Sequence, residues 1–594
     1  MGVGAAGETS MRRLLTGGTV WAETTCMPRA TWLLVDEGRV VAVGDHDELG
    51  GTQPPPADQL LDLRGGHVLP GFVDVHLHLS QAAWFPLGVD GLGWRSLADA
   101  LHAVRVSAAA APEPDAPWLL FWRVARWSWP EGRLPTAREL DEVAPGRRVL
   151  VSTLDMHRGA VSSAGLAAIG LATSRGTTGF GHDVTCDRRG RPTGELWETA
   201  YGLALQRALT DTIAHADEAG DAGVQAVLVA EANRLLAHGI THAHDPYVSP
   251  DWHERMVALH AATPLRLSWG TGAPAGMHTS PPGPQAAPDG PYGDSGREVK
   301  LFADGGDRCA FRLPVRALVG LVGGAIGEAW RLRAAGPLRE ALRRKLVVRP
   351  GRLEAPYLRY TDDELAGLVT AYAEGGVRVR IHALGNLAGE QAARVLRRVG
   401  VPPGAATIDH LLLLDPTTAD RVGSTGAPVS YQPGFLPRYG AMLQATGADR
   451  YLSVLGGRRL LQAGVPLALS SDHPCGPVDP LHNLRAAVER RLPGADGRQL
   501  QPEQALTRAE TVRAATVTAA GSLQAPGGGG LAPGEIADFV VCDGDPFQEG
   551  TRVAQTWIGG RLVWQAPGQE GSGGPTSTST STVSATPTSR SPRR

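Results

Sequence analysis

Two histidines stand two residues apart in Leu69-Pro70-Gly71-Phe72-Val73-Asp74-Val75-His76-Leu77-His78-Leu79, a spacing that lets two imidazoles share a metal ion. On a strand, with its side-chain period of two, Phe72, Asp74, His76 and His78 face one way and Val73, Val75, Leu77 and Leu79 the other. An aliphatic back and a front ending in imidazoles is the pattern of a parallel barrel strand with helices behind it and a metal ahead. A bare His-x-His is a weak signal, since two ordinary polar residues at a strand end read the same. The residues that follow decide between them.

Those residues are Lys300 in Glu298-Val299-Lys300-Leu301-Phe302-Ala303-Asp304-Gly305, His382 in Val377-Arg378-Val379-Arg380-Ile381-His382-Ala383, His410 in Ala406-Thr407-Ile408-Asp409-His410, and Asp472 in Pro466-Leu467-Ala468-Leu469-Ser470-Ser471-Asp472-His473. Each stands at or near the end of a strand-like run. Imidazole and carboxylate are ligands for zinc or a similar divalent ion, and four His with one Asp exceed the needs of one tetrahedral site that keeps an open position. Two ions are expected, with a single ion the simpler alternative. A second ion calls for a bridging anion, which a lysine carbamylated by carbon dioxide supplies. Only two of the 57 Lys and Arg residues are lysines, Lys300 and Lys345. In a chain that uses Arg for its generic cations, a retained lysine is a candidate for chemistry that a guanidinium cannot do. Lys345, in Arg343-Arg344-Lys345, is the control: a solvated basic cluster with no special role.

The elements that would position these residues follow a βα rhythm. With the opening strand come Gly239 to Asp245, Leu265 to Gly270, Glu298 to Gly305, Val377 to Ala383, Ala406 to His410, Pro428 to Pro433 and Pro466 to His473, most followed by a helical pattern. This predicts an α/β fold, a (β/α)8 TIM barrel whose catalytic residues stand at the strand C-termini. The detour between the first two strands is too long for a barrel connection and predicts an insertion at about 85–225, over the active-site face. Trp84, Trp94, Trp118, Trp122, Trp127 and Trp129 fall in or just before it. Core packing accounts for most of them, while Trp122 and Trp127 are candidates to wall a substrate pocket, with His244 and Asp304. Short strands over residues 12–67 match others at Gly534 to Cys542 and Thr556 to Trp564, so both termini are expected to build one β-sandwich (1–68 and 516–565) beside the barrel (69–515). Residues 566–594, rich in Ser, Thr, Pro and Gly, predict a disordered tail.

Composition excludes other classes. At 594 residues, 42% hydrophobic and a formal charge of -3, the chain has cores to bury and no basic stripe for nucleic acid. Its five cysteines form no Cys-x-x-Cys pair, which argues against a disulfide framework or thiolate zinc site and suits a reducing cytoplasm. No apolar run reaches the roughly 18 residues of a membrane helix. A small-molecule substrate is the expected partner, with a homodimer left open.

Taken together, the entry Pro70 to His78, Val299 to Gly305, Ile381-His382-Ala383-Leu384-Gly385-Asn386, Asp409-His410, Ser471-Asp472 and Gly534-Glu535-Ile536-Ala537-Asp538 resemble the amidohydrolase superfamily, and within it the branch of N-substituted formamide deformylases. The resemblance implies that His76 and His78 bind the more buried ion, Lys300 bridges as a carbamate, His382 and His410 bind the second ion, and Asp472 ligates and shuttles protons. It also implies hydrolysis of a non-peptide carbon–nitrogen bond in a small N-substituted amide or formamide by metal-activated hydroxide. Asn386 and Asp409 depart from the family's usual Asp and Glu and could alter how His382 and His410 are oriented. Three alternatives compete: the pair His242 and His244 as the true metal motif, a binuclear phosphotriesterase or lactonase, and a non-catalytic binding protein on the same barrel.

Overall fold

The computed structural model describes residues 11–567, apart from 23–26, 46–54, 111–116, 174–182, 219–222, 273–296, 307, 332, 334–345, 446, 493–496 and 526–528. Lys345 and nearly all of the expected tail lie outside the described residues.

Eight strands form one parallel sheet in chain order: Phe72–Asp74, Ile240–Val248, Arg266–Thr271, Glu298–Phe302, Arg378–Ala383, Ala406–His410, Val429–Tyr431 and Leu467–Leu469. Every residue of Glu298–Phe302 and of Ala406–His410 is buried, as expected where side chains fill the barrel and helices cover it. The sheet curls until its edges meet beyond the first and last strands. There the Asp472 N–H donates to the His76 carbonyl and the His78 N–H to the His473 carbonyl, both at 2.7 Å. The first strand is shorter than its alternation suggested. Asp74 ends it, because its Oδ1 accepts the N–H groups of His76 (3.2 Å) and Ser471 (3.1 Å) in place of a ladder, and Leu79–Ala82 is already helical.

The two ends of the chain share a six-stranded sheet in which Phe539–Cys542 pairs antiparallel with His67–Pro70. A four-stranded sheet from the N-terminal segment alone packs over it. Leu15, Val20, Leu33, Val35, Val68, Phe539 and Trp557 form the core between them, and the Arg266 guanidinium, at 2.8 Å from the Asp538 carboxylate, ties this unit to the third barrel strand. The insertion carries its own six-stranded sheet, from Val89–Asp90 to Pro192–Trp197. Trp118, Trp122 and Trp129 are at most 3% exposed and serve as core. After the fourth barrel strand the chain makes a small three-stranded sheet (Phe311–Pro314, Val347–Arg349, Arg352–Ala355) before its helix, an element the βα pattern did not indicate. Among the described residues no helix is long and apolar enough to cross a membrane.

Candidate metal centre

The first, fourth, fifth, sixth and eighth strands deliver their terminal side chains to one cavity of about 120 Å³. His76, His78, Lys300, His382, His410 and Asp472 all line it. The imidazoles run in a row, with ring centres 5.2 Å apart for His78 and His76, 4.9 Å for His76 and His410, and 4.6 Å for His410 and His382. Asp472 faces the head of the row: its Oδ1 lies 3.2 Å from His78 Nε2 and 3.5 Å from His76 Nε2. One donor atom from each of His76, His78 and Asp472 falls within 4.8 Å of the other two, a spacing that one divalent ion can span.

The electrostatics suit a cation. Burial pushes His76 down to about 3 and His410 to about 4, and holds His382 well below the imidazole range, so these rings present the neutral form that ligates metals. His78 goes the other way, to about 9: burial opposes its charge, but the carboxylates of Asp245 and Asp472 outweigh burial. Asp472 itself stays below the carboxylate range, since the imidazoles of His76, His78 and His410 overcome the burial that would raise it. Two buried carboxylates thus call for positive charge here, which a proton on His78 or a dication can supply. His382 Nε2 and His78 Nδ1 are buried without a hydrogen-bond partner; the nearest carboxylate oxygens, on Asp304 and Asp245, stand 3.7 Å away. Orphaned imidazole nitrogens in such a place fit a metal site, because an unpaired buried polar atom is otherwise costly.

Lys300, its side chain 1% exposed, is ion-paired with Asp409. Burial lowers the ammonium's pKa, although Asp409 resists this. Asp304 is not its partner. That carboxylate is consumed by three backbone N–H groups, Ala310 at 2.8 Å and Leu384 and Gly385 each at 2.9 Å. Asp409 meets His76 Nδ1 at 3.1 Å and Arg380 Nη1 at 2.9 Å through its other oxygen, so this departure from the family pattern sits inside the cluster.

Of the four pocket candidates only Trp127 lines the cavity. His244 lies in the barrel interior, its nitrogens 2.9 Å from Ser268 Oγ and 2.8 Å from Glu298 Oε1. Its neighbour His242 also meets Ser268, at 3.0 Å, so this pair does not reach the cavity. Asp304 is held behind His382 as a loop tie, and Trp122 is fully buried in the insertion. His473 points outward to Glu231 and Arg234. Sequence reasoning missed Asp155 and His157, which the insertion brings to the cavity wall. The glycine pair Gly305-Gly306 was the available signal: an added Cβ at 306 would meet the His157 ring at 2.6 Å, and one at 305 would collide with Glu198.

A parallel barrel whose edges meet beyond its first and last strands, with a terminal β-sandwich and a buried histidine–aspartate cluster at its mouth, is the architecture of the amidohydrolase class. The chain belongs to the amidohydrolase family, whose model matches residues 59–564. It is 26% identical over 570 residues to the N-substituted formamide deformylase of Arthrobacter pascens, covering 93% of this chain and 97% of that one. It is also 26% identical over 589 residues to the putative amidohydrolase YtcJ of Bacillus subtilis (strain 168), covering 93% and 100%. Among solved structures, an uncharacterized metal-dependent hydrolase from Pyrococcus horikoshii OT3 superposes with a TM-score of 0.59 at 20% identity, over 90% of this chain and 98% of that one.

Proposed function

We propose that the chain hydrolyses a non-peptide carbon–nitrogen bond of a small N-substituted amide or formamide, with zinc or a similar divalent ion. The observation that carries this reading is the meeting of His76, His78 and Asp472 donors within 4.8 Å at the barrel mouth. The likeness to a formamide deformylase over nearly its whole length supports the amide. His76, His78 and Asp472 would hold one ion and His382 and His410 a second, and Lys300, once carbamylated, would offer an anionic ligand beside them. When bound, such ions polarise a carbonyl oxygen and bring the pKa of water toward neutrality.

The side chains do the rest. Asp472, held ionised with Oδ1 toward His76 and His78 and Oδ2 4.0 Å from His410 Nδ1, can accept the proton of the attacking water and return it to the leaving nitrogen, a role typically worth about 10²–10⁴ in rate. An amine leaves poorly without that proton. Trp127, Met156, Phe435 and Tyr439 form an apolar wall that excludes water and can receive the N-substituent. The test is a screen of N-formyl and N-acyl amines beside phosphotriesters and lactones, with metal analysis of the same preparation. Turnover of the amides alone is expected; turnover of the phosphotriesters or lactones alone would move the chain to another reaction class.

A further inference from the structure

The excursion between the fourth and fifth barrel strands leaves from a strand C-terminus and so lies at the active-site end of the barrel. Its helix Ala317–Arg331 reads Ala-Leu-Val-Gly-Leu-Val-Gly-Gly-Ala-Ile-Gly-Glu-Ala-Trp-Arg, apolar on almost every side. Such a helix is ordinarily buried all round, yet this one is covered along one face. Ala317 and Ala329 are buried, and the helix packs against Phe435–Ala445, which offers Phe435 and Tyr439 to the cavity.

The opposite face is open. Val319, Val322, Ile326 and Trp330, spaced to share one side of the helix, are all exposed, Val319 to 79% and Trp330 to 85%. Six of the fourteen exposed large apolar side chains among the described residues fall between Val315 and Val348. Scattered singly they would need no explanation; gathered on one excursion they mark a docking surface.

Charge selects the partner. From Arg316 to Arg352 the sequence has nine basic residues and two acidic ones, in a chain whose formal charge is -3. Arg316 stands just before the helix, Arg331 at its end and Arg333 just after it, all three exposed. Arg349 and Arg352 share one carboxylate, Glu354, at 3.0 and 2.9 Å. An apolar face with a tryptophan, bounded by cations, matches an anionic lipid surface, where apolar side chains enter the acyl boundary and guanidinium groups meet phosphates. A second copy of the chain would instead bring arginine against arginine across a two-fold axis, whichever way the helices run.

We propose that Ala317–Arg331 docks on an anionic membrane surface, with Val319, Val322, Ile326 and Trp330 toward the lipid. The helix lies in the interface and does not cross the bilayer: its 15 residues rise about 22 Å, short of the roughly 30 Å hydrocarbon core.

The test is flotation of the full chain with vesicles of equimolar phosphatidylglycerol and phosphatidylcholine, beside vesicles of phosphatidylcholine alone, with light scattering to read oligomeric state and Tm to check folding. Binding to the anionic vesicles is expected, weakened by salt and about tenfold or more lower on phosphatidylcholine alone. Ile326→Ser combined with Trp330→Ser should reduce it about tenfold or more. Arg333→Gln should reduce it about fivefold, the scale of one basic residue near such a surface. Tm should hold in all of these, because the three side chains are exposed. No binding by wild type, equal binding to both kinds of vesicle, or binding that survives the double substitution overturns the inference. So does a dimer in solution that the double substitution separates, which would give this face to a second copy.

Discussion

The N–H of Asp472 donates to the carbonyl of His76 at 2.7 Å, so one of the bonds that bring the barrel's edges together also joins two members of the candidate metal cluster. Ligand spacing is thereby fixed by backbone, not by the rotamers of exposed side chains. Both residues are buried, His76 at 1% and Asp472 at 7% exposure.

Preorganisation of this kind predicts tight retention of metal at the head of the imidazole row. Protein purified without chelator is expected to carry two divalent ions per chain. His382→Ala or His410→Ala should lower this to one, whereas His76→Ala should cost the ion nearest Asp472. A reproducible stoichiometry of one in wild type, with His382 and His410 replaceable at no cost to activity, would make the site mononuclear.

Asp304 gives a stability prediction independent of metal. Its carboxylate gathers the N–H groups of Ala310, Leu384 and Gly385, tying the loop after the fourth strand to the one after the fifth. Asp304→Ala strands three buried donors, each worth about 1–3 kcal/mol when unpaired. A loss of about 3 kcal/mol or more is expected, read as a lower denaturation midpoint. An unchanged midpoint would mean that water or loop movement satisfies all three donors.

The sandwich provides a third test. Ending the chain before Gly534 removes Phe539–Cys542, the strand seated between Val553–Ile558 and His67–Pro70, and exposes Val20, Leu33 and Val68 of its core. Insoluble or unfolded protein is expected. A stable, active chain of that length would show that the barrel stands without its terminal sheets.

The barrel was legible because its signal is local: period-two apolar runs ending in His, Asp or Gly reveal both strands and the chemistry at their ends. His76, His78, Lys300, His382, His410 and Asp472 stand out that way, and all six line one cavity. What stayed hidden depends on contacts between distant segments. Asp74 looks like one more inward residue of a longer strand, and nothing nearby tells that its carboxylate will cap His76 and Ser471. His157 reaches the site only through the docking of a separate sheet domain, which no spacing encodes. Asp409 was visible only as a departure from the family's usual residue, while its contact with Lys300 spans 109 positions.

Lys300 is where two readings diverge most sharply. As a carbamate bridge the ammonium must lose two protons, one to free the nitrogen lone pair and one as the nitrogen adds carbon dioxide, and then present two oxygens that share one negative charge. Burial favours the neutral amine, while the Asp409 carboxylate favours the ammonium. Lys300→Arg keeps the positive charge and the ion pair to Asp409 but can never become an anion, so activity should be abolished and bound metal should fall. Lys300→Ala should be equally inactive, yet partly rescued by a short carboxylic acid with added metal, because the acid can occupy the vacated space. Lys345→Arg should change nothing. With only two lysines in the chain, carbon-13-labelled bicarbonate should give a carbamate resonance that Lys300→Arg removes and Lys345→Arg keeps. If Lys300 instead serves as a buried cation between Asp409 and Phe302, whose ring lies 5.5 Å from its Nζ, arginine would substitute tolerably and carboxylic acids would not help. Retention of most activity and metal in Lys300→Arg would therefore remove the carbamate from the mechanism and leave His76, His78 and Asp472 to hold a single ion.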